Sequence, residues 1–284
     1  MKNKGLTLTM VFEAESANYG EGVGNVSALK KLSRDKGDQY TYISRQAIRY
    51  NIIEQLGEKT ADVSKDKTVI QFSPNTTIKD YPELDFFGYL KTDKEIKKRS
   101  AKVRLSNAVS TETFKGDLDF LTNKGLADRI KSTMNIAQAE IHKSYYVYTI
   151  TADLEKIGID ENDKIELDNN EKCRRIQKLL DTVAFLYRDI RGRRENLSPL
   201  FAVGGVYNIK NPIFENLVSV KENKISVEKI EKGIFDFMKA DTYCGFIEGK
   251  FDNDKEIKEK LNGVSMPEFF NILKKKVSDY YESN

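Results

Sequence analysis

"SYYVYTITADL", residues 144–154, is the stretch from which the fold of this chain can be built. Tyr146, Tyr148 and Ile150 alternate with Val147 and Thr149, and nearly every position is aromatic or β-branched, so a strand is predicted. Upstream, residues 5–12 of "MKNKGLTLTMVFEAES" alternate Leu6, Leu8, Met10 and Phe12 and read as a second strand. Thr7 and Thr9 interrupt this apolar run and Glu13 ends it, so it is too short for a signal segment. Downstream, "NNEKCRRIQKLLDTVAFLYRDIRG" (169–192) places Cys173, Ile176, Leu180, Val183, Tyr187 and Ile190 at three- and four-residue spacing. That predicts a helix started by Asp168 to Asn170 and stopped by Gly192. "PLFAVGGVYNI" (199–209) follows as a buried strand.

The other elements fit around these. "YISRQAIRYNI" (42–52) opens with Ser44 as an N-cap, and Ile48, Ile52 and Leu56 recur every four residues before Gly57, predicting a helix over 44–56. A long loop joins it to the first strand, and loops of that length are usually functional. Residues 58–100 are polar and lysine-rich with short apolar runs ("KTVIQFS", "FFGYLKT") and read as an insertion. "SAKVRLSNAV" (100–109) predicts a strand, and 107–142 is dotted with Gly and Thr. Two short strands, a helix near 226–239 and a closing helix near 254–281 complete the chain. The order strand, helix, insertion, strand, insertion, strand, helix, strand predicts an α+β fold of the ferredoxin-like split type, elaborated by insertions.

With 284 residues, 39% hydrophobic and 32% charged, the chain can bury a sizeable core. Two cysteines far apart, Cys173 and Cys244, indicate neither a disulfide framework nor a zinc site, and a reducing cytoplasm is the expected home. No stretch approaches the length of a membrane span. The net charge of +3 is modest, but its distribution is uneven. Residues 195–284 hold 13 Lys and no Arg against 15 acidic residues, leaving −2 there and +5 for the first 194. All twelve arginines precede residue 195, and six of them lie between Arg174 and Arg194. Arginine grips phosphate bidentately, so an anion site is expected in the first two-thirds of the chain.

The lone histidine, His142, excludes mechanisms needing two, and there is no nucleophile-elbow or paired-histidine metal motif. His142 reads as a structural residue at the start of the Tyr-rich strand, the functional alternative being the general acid of a metal-independent ribonuclease. "NYGEGVGN" (18–25) has the wrong spacing for a dinucleotide fingerprint, yet its glycines would let backbone approach a ligand. Glu13, Glu15, Glu21, Asp35 and Asp38 crowd the same loop; they could hold a metal, but without a general base they read as solvated surface. The strongest signal is "LYRDIRGRRENLSPLF" (186–201). Arg188, Arg191, Arg193 and Arg194 exceed what a helix C-terminus needs to balance its dipole, and phosphate binding is the favoured reading. Arg45 and Arg49, four apart, share one flank of the 44–56 helix near an N-terminus that favours anions.

Four separated blocks, "GLTLTMVFEAES", "YISRQAIRY", "YVYTITADLEKIG" and "LLDTVAFLYRDIRGRRENLSPLFAVGG", together resemble the DevR-type Cas-seven family, the backbone subunit of type I-B CRISPR Cascade. The resemblance runs from about residue 5 to 209. It implies a non-catalytic protein without cofactor or metal that polymerises along a CRISPR RNA, alongside other Cascade subunits, and presents the guide for pairing with target DNA. It also implies an RRM-like palm (1–57 and 143–284), a helical fingers insertion (58–100) and a thumb (107–142). The family's S-x-Q-x-x-K/R pattern matches Ser44, Gln46 and Arg49. Tyr50 stands where relatives carry a second basic residue, and Arg45 can replace it. The turn after the second palm helix matches Gly192, Arg193 and Arg194, beside Arg191. The loop after the first strand matches around Asn18, Gly20 and Lys30. A guide-binding subunit must hold any sequence, so it should grip phosphates and leave base edges free, and the aromatic signature with which an ordinary RRM stacks bases is missing here. The alternative from another class is a ribonuclease, using His142 or a metal held by loop acids. A free-standing regulator, which the family's naming suggests, has no support in the residues.

Overall fold

In the computed structural model, which describes residues 4–22, 24–66, 68–92 and 95–283, nine strands form the main sheet. They are β1 (Gly5–Ala14), β2 (Lys31–Arg34), β3 (Asp38–Ile43), β4 (Val103–Leu105), β5 (Ala108–Ser110), β6 (Ser144–Asp153), β7 (Phe201–Tyr207), β8 (Thr242–Phe246) and β9 (Val264–Ser265). Their order is β9-β8-β7-β1-β6-β5-β3-β2, with β4 beside β5 on the same flank of β6. The centre is antiparallel: β1 pairs β6 from Gly5↔Asp153 to Ala14↔Ser144 and pairs β7 from Gly5↔Tyr207 to Val11↔Phe201.

Alternation sets the two faces. Leu6, Leu8, Met10 and Phe12 of β1 and Tyr146, Tyr148 and Ile150 of β6 are buried against α1 (Arg45–Gln55), α2 (Asn169–Ala184) and α3 (Met266–Glu282). The helices contribute Ile48 and Ile52, Ile176, Leu180 and Val183, and Phe269, Leu273 and Val277 to that core. Beneath the other face, Phe201, Val203 and Tyr207 pack with Phe214, Ile230 and Ile257 from the C-terminal part. Nearer the sheet centre, Thr9 and Thr149 face each other and share a 2.7 Å hydrogen bond, so this polar pair is satisfied although buried.

Several elements depart from the sequence reading. The predicted helix over 169–192 stops at Ala184, because Arg191 (φ 49°) and Gly192 (φ 77°) supply the two consecutive positive-φ residues of a tight hairpin. Tyr187–Ile190 and Arg193–Asn196 are therefore paired strands, with Arg188 opposite Glu195. The loop after β1 contains β2 and β3, which extend the main sheet. The 100–109 strand is broken at Ser106–Asn107 into β4 and β5. Segment 58–100 is built mostly of two hairpins, Val63–Asp66 with Val69–Phe72 and Tyr89–Thr92 with Ile96–Arg99, around one short helix, Pro82–Phe87, rather than helically. Residues 107–142 hold β5 and a hairpin of Asp117–Thr122 with Ile136–Ile141. The closing helix is two, Asp254–Leu261 and α3, separated at Asn262 (φ 50°). Among the described residues, no helix is long and apolar enough to cross a membrane.

Segment 58–100 is anchored by a buried carboxylate. Asp85 Oδ1 accepts from Arg99 Nη2 at 2.8 Å and from the Gly158 amide at 2.9 Å, and Oδ2 accepts from Arg175 Nη1 at 3.1 Å. Arg175 projects from α2, so one acid ties the insertion to the second long helix and to the turn after β6.

Candidate nucleic-acid interface

The N-terminus of α1 is the organising point. Ser44 has extended backbone angles and its Oγ accepts the Ala47 amide at 3.3 Å, as an N-cap should. Its own amide donates to Asn18 Oδ1 at 3.0 Å, and the next amide, of Arg45, donates to Asn107 Oδ1 at 2.9 Å. Two asparagines from distant loops thus hold the start of the helix. The Asn18 carbonyl accepts the Lys30 amide at 2.6 Å, and the Gly20 amide donates to Ala28 at 2.8 Å. Asn18, Gly20, Lys30 and Ser44, which sequence reasoning grouped only by motif, are brought together here. Lys30 is exposed and has no acidic partner among the described residues.

Arg45, Gln46 and Arg49 line one cleft of about 370 Å³. Its other walls come from Phe87, from Ala101 and from Val103, Arg104 and Leu105 of β4. Arg49 is half-buried with its guanidinium 5.1 Å from the Phe87 ring centroid, and burial holds its pKa below the ordinary arginine value while Glu83 opposes that shift. Neither Arg45 nor Arg49 forms an ion pair among the described residues, and the first turn of α1 has no acid. Phe87 and Arg104 were missed by the sequence reading. The signal was the alternation of Lys102 and Arg104 about Val103, visible in "SAKVRLSNAV".

The hairpin arginines divide. Arg188 is buried on Glu195, with Nη2 2.6 Å and Nε 2.7 Å from Oε2. Arg193 reaches Glu15 Oε1 and Ser16 Oγ, both at 2.5 Å, and Arg194 makes a bidentate contact to Asp189 at 2.9 and 3.0 Å. Only Arg191 lacks a carboxylate among the described residues; it lies over the Tyr19 ring at 4.0 Å, which joins the hairpin turn to the Asn18–Lys30 loop. Glu195 Oε1 also accepts the amides of Glu15 (2.7 Å) and Ser16 (3.0 Å). Three of the four arginines read as surplus charge in the sequence are therefore engaged within the chain, two with acids of the hairpin itself (Glu195 and Asp189) and one with Glu15.

Glu13 pairs with Lys250 at 2.5 Å and Lys143 at 3.2 Å, and no group of three His, Cys, Asp or Glu among the described residues could hold a metal ion. His142 is buried, its Nδ1 2.7 Å from Thr41 Oγ1, which also meets Tyr146 Oη at 2.8 Å. Burial lowers its pKa, against the pull of Glu112 and Asp117 and a hydrogen bond to the backbone of Thr113.

Comparison with known proteins bears on the family and the fold. The model of the family described as CRISPR-associated negative auto-regulator DevR/Csa2 matches residues 6–229. The fold is similar to a solved structure titled "CRISPR RNA-guided surveillance complex, pre-nicking", with a TM-score of 0.63 and 10% identity over 97% of this chain and 99% of that one. It is also similar to one titled "CRISPR RNA-guided surveillance complex", with a TM-score of 0.58 and 12% identity over 95% and 98%. No curated protein matches by sequence.

Proposed function

Because the chain belongs to the CRISPR-associated DevR/Csa2 family, we propose that it is a non-catalytic backbone subunit of a type I-B Cascade surveillance complex. It grips the sugar-phosphate backbone of a CRISPR RNA without regard to sequence, repeats side by side along it, and leaves the bases free to pair with target DNA. The observation that carries this is the cleft of Arg45 and Arg49, two unpaired guanidiniums beside a capped helix N-terminus whose dipole adds to their field. The strand order β7-β1-β6-β5 with α1 and α2 on one face is that of a ferredoxin-like split unit, which supports an RRM-like palm. Segments 58–100 and 107–142, with their exposed hairpins, are the fingers and thumb of this reading. Neighbouring copies, other Cascade subunits, the guide and the target strand are its partners, in the cytoplasm.

The nuclease reading finds less support, since His142 is buried and hydrogen-bonded within the core and Glu13 and Glu15 are ion-paired. The deciding experiment is native mass of the purified protein with synthetic CRISPR RNAs of two lengths. Bound copies should rise in proportion to RNA length for unrelated spacer sequences. One copy whatever the length, or RNA returned shortened, overturns the proposal.

A further inference from the structure

Strand β4 carries the cationic surface beyond α1. Val103 is buried between Lys102, which just precedes β4 and whose carbonyl accepts the Asp153 amide at 2.9 Å, and Arg104 within the strand; two residues of extended chain span about 6.6 Å. That is close to the separation of neighbouring phosphates on one nucleic-acid strand. Arg104 is exposed on the wall of the Arg45–Arg49 cleft, and its acidic contact is Asp153 at 3.6 Å. Lys102 lines a second cleft of about 200 Å³ with Lys98, Ser100 and Lys156, and its Nζ donates to the Ser100 hydroxyl at 3.2 Å, with no ion pair among the described residues. Burial and the nearby Arg99 hold Lys102 below the ordinary lysine pKa, and Lys156 and Arg104 push the same way against Asp153.

The far wall of the second cleft carries two acids. Asp160 is buried and accepts from Tyr89 Oη at 2.8 Å, and Glu161 faces Lys156 at 3.6 Å. Among the described residues, Lys98 and Lys102 form no ion pair, and Arg104 shares Asp153 with Lys210, which stands 3.9 Å from it. Exposed Arg45 and Arg104 and half-buried Arg49 and Lys102 repel one another, and a polyanion running along them would relieve that repulsion.

Resting on the RNA-backbone reading above, we propose that the guide strand leaves the α1 cleft along β4, with Arg104 holding the phosphate next to the one at Arg49 and Lys102 the phosphate after that. The strand's path then runs from the palm helix toward segment 58–100, and two residues outside the family motif become backbone contacts.

The test is salt-dependent binding of the intact protein to a labelled single-stranded RNA of mixed sequence, for wild type and for Arg49→Ala, Arg104→Gln, Lys102→Ala and Lys229→Ala, each checked for an unchanged melting temperature. Lys229 is an exposed lysine on the short helix Val227–Gly233 and controls for net charge. Each lost phosphate contact should flatten the slope of log K against log salt by about 0.7, so Arg104→Gln and Lys102→Ala should each do so, and together by about 1.4, while Lys229→Ala does not. Wild-type slope retained in both β4 variants while Arg49→Ala flattens it overturns the track and leaves the function standing. An effect of the β4 variants seen only after a complementary DNA strand is added also overturns it, assigning the track to the second strand. Absence of salt-dependent RNA binding by the wild type refutes the RNA-backbone reading itself.

Discussion

The side-chain oxygen of Asn18 accepts the backbone amide of Ser44 at 3.0 Å, fastening the loop after the first strand to the residue that caps α1. The loop and the helix N-terminus are therefore one unit, and damage to either should be felt at both.

Replacing Asn18 with Ala leaves a part-buried amide without its acceptor and should lower stability by about 1 kcal/mol. Ser44→Ala should lower it by a similar ~1 kcal/mol through loss of the cap. Urea denaturation measures both, and both variants should weaken RNA binding equally for unrelated sequences.

Arg49→Ala should separate binding from folding. Its guanidinium is half-buried without a carboxylate contact, so removing it should leave the melting temperature unchanged or slightly raised while RNA binding weakens. A melting temperature that drops by many degrees would show Arg49 to be structural.

The hairpin offers the opposite pairing of effects. Arg191→Ala should weaken RNA binding with stability intact, because Arg191 lies over the Tyr19 ring and has no carboxylate partner among the described residues. Arg188→Ala removes the guanidinium from Glu195 Oε2, leaving the buried carboxylate with two amides and Arg193 at 3.4 Å, and should cost about 1–3 kcal/mol, read as a lower urea midpoint.

Acid should loosen the chain at Glu171. Hydrogen bonds from Arg174, with Arg175 adding against the effect of burial, hold its carboxyl at about 2, below the ordinary 4.5. A depressed carboxyl contributes stability that is fully present above its unfolded value and lost as pH falls through the folded one. Melting temperature should therefore decline between pH 4.5 and about 2, and Glu171→Gln should flatten that decline.

Asp85→Ala should uncouple segment 58–100. It would leave Arg99 buried without its carboxylate and Arg175 with Glu171 alone, a loss of about 3–5 kcal/mol. Limited proteolysis should cut within 58–100 before it cuts the central strands.

The centre of the fold was legible because its signals are periodic: "SYYVYTITADL", "GLTLTMVFEAES" and the Ile48–Ile52 stripe each face a core. The hairpin at 187–196 was not, since Tyr187 and Ile190 continue the helical spacing of α2 and only the positive-φ pair Arg191–Gly192 reverses the chain. The sites divide the same way. Ser44 and Arg49 sit in a local motif, whereas Asn107, Phe87 and Arg104 reach the cleft from separate strands and loops, which spacing along the chain cannot reveal. Nor could it reveal that Arg193 would be met by Glu15, 178 residues away.

Glu195 receives Arg188 together with the amides of Glu15 and Ser16, so the hairpin and the loop leaving β1 are joined before any ligand arrives. The ordering entropy of that groove is thus met during folding, and an incoming strand loses mainly its own freedom. A groove preorganised in this way should favour polymers already stiffened in the bound shape, so a guide that stacks into an ordered helix should bind faster than a flexible uridine tract of equal charge.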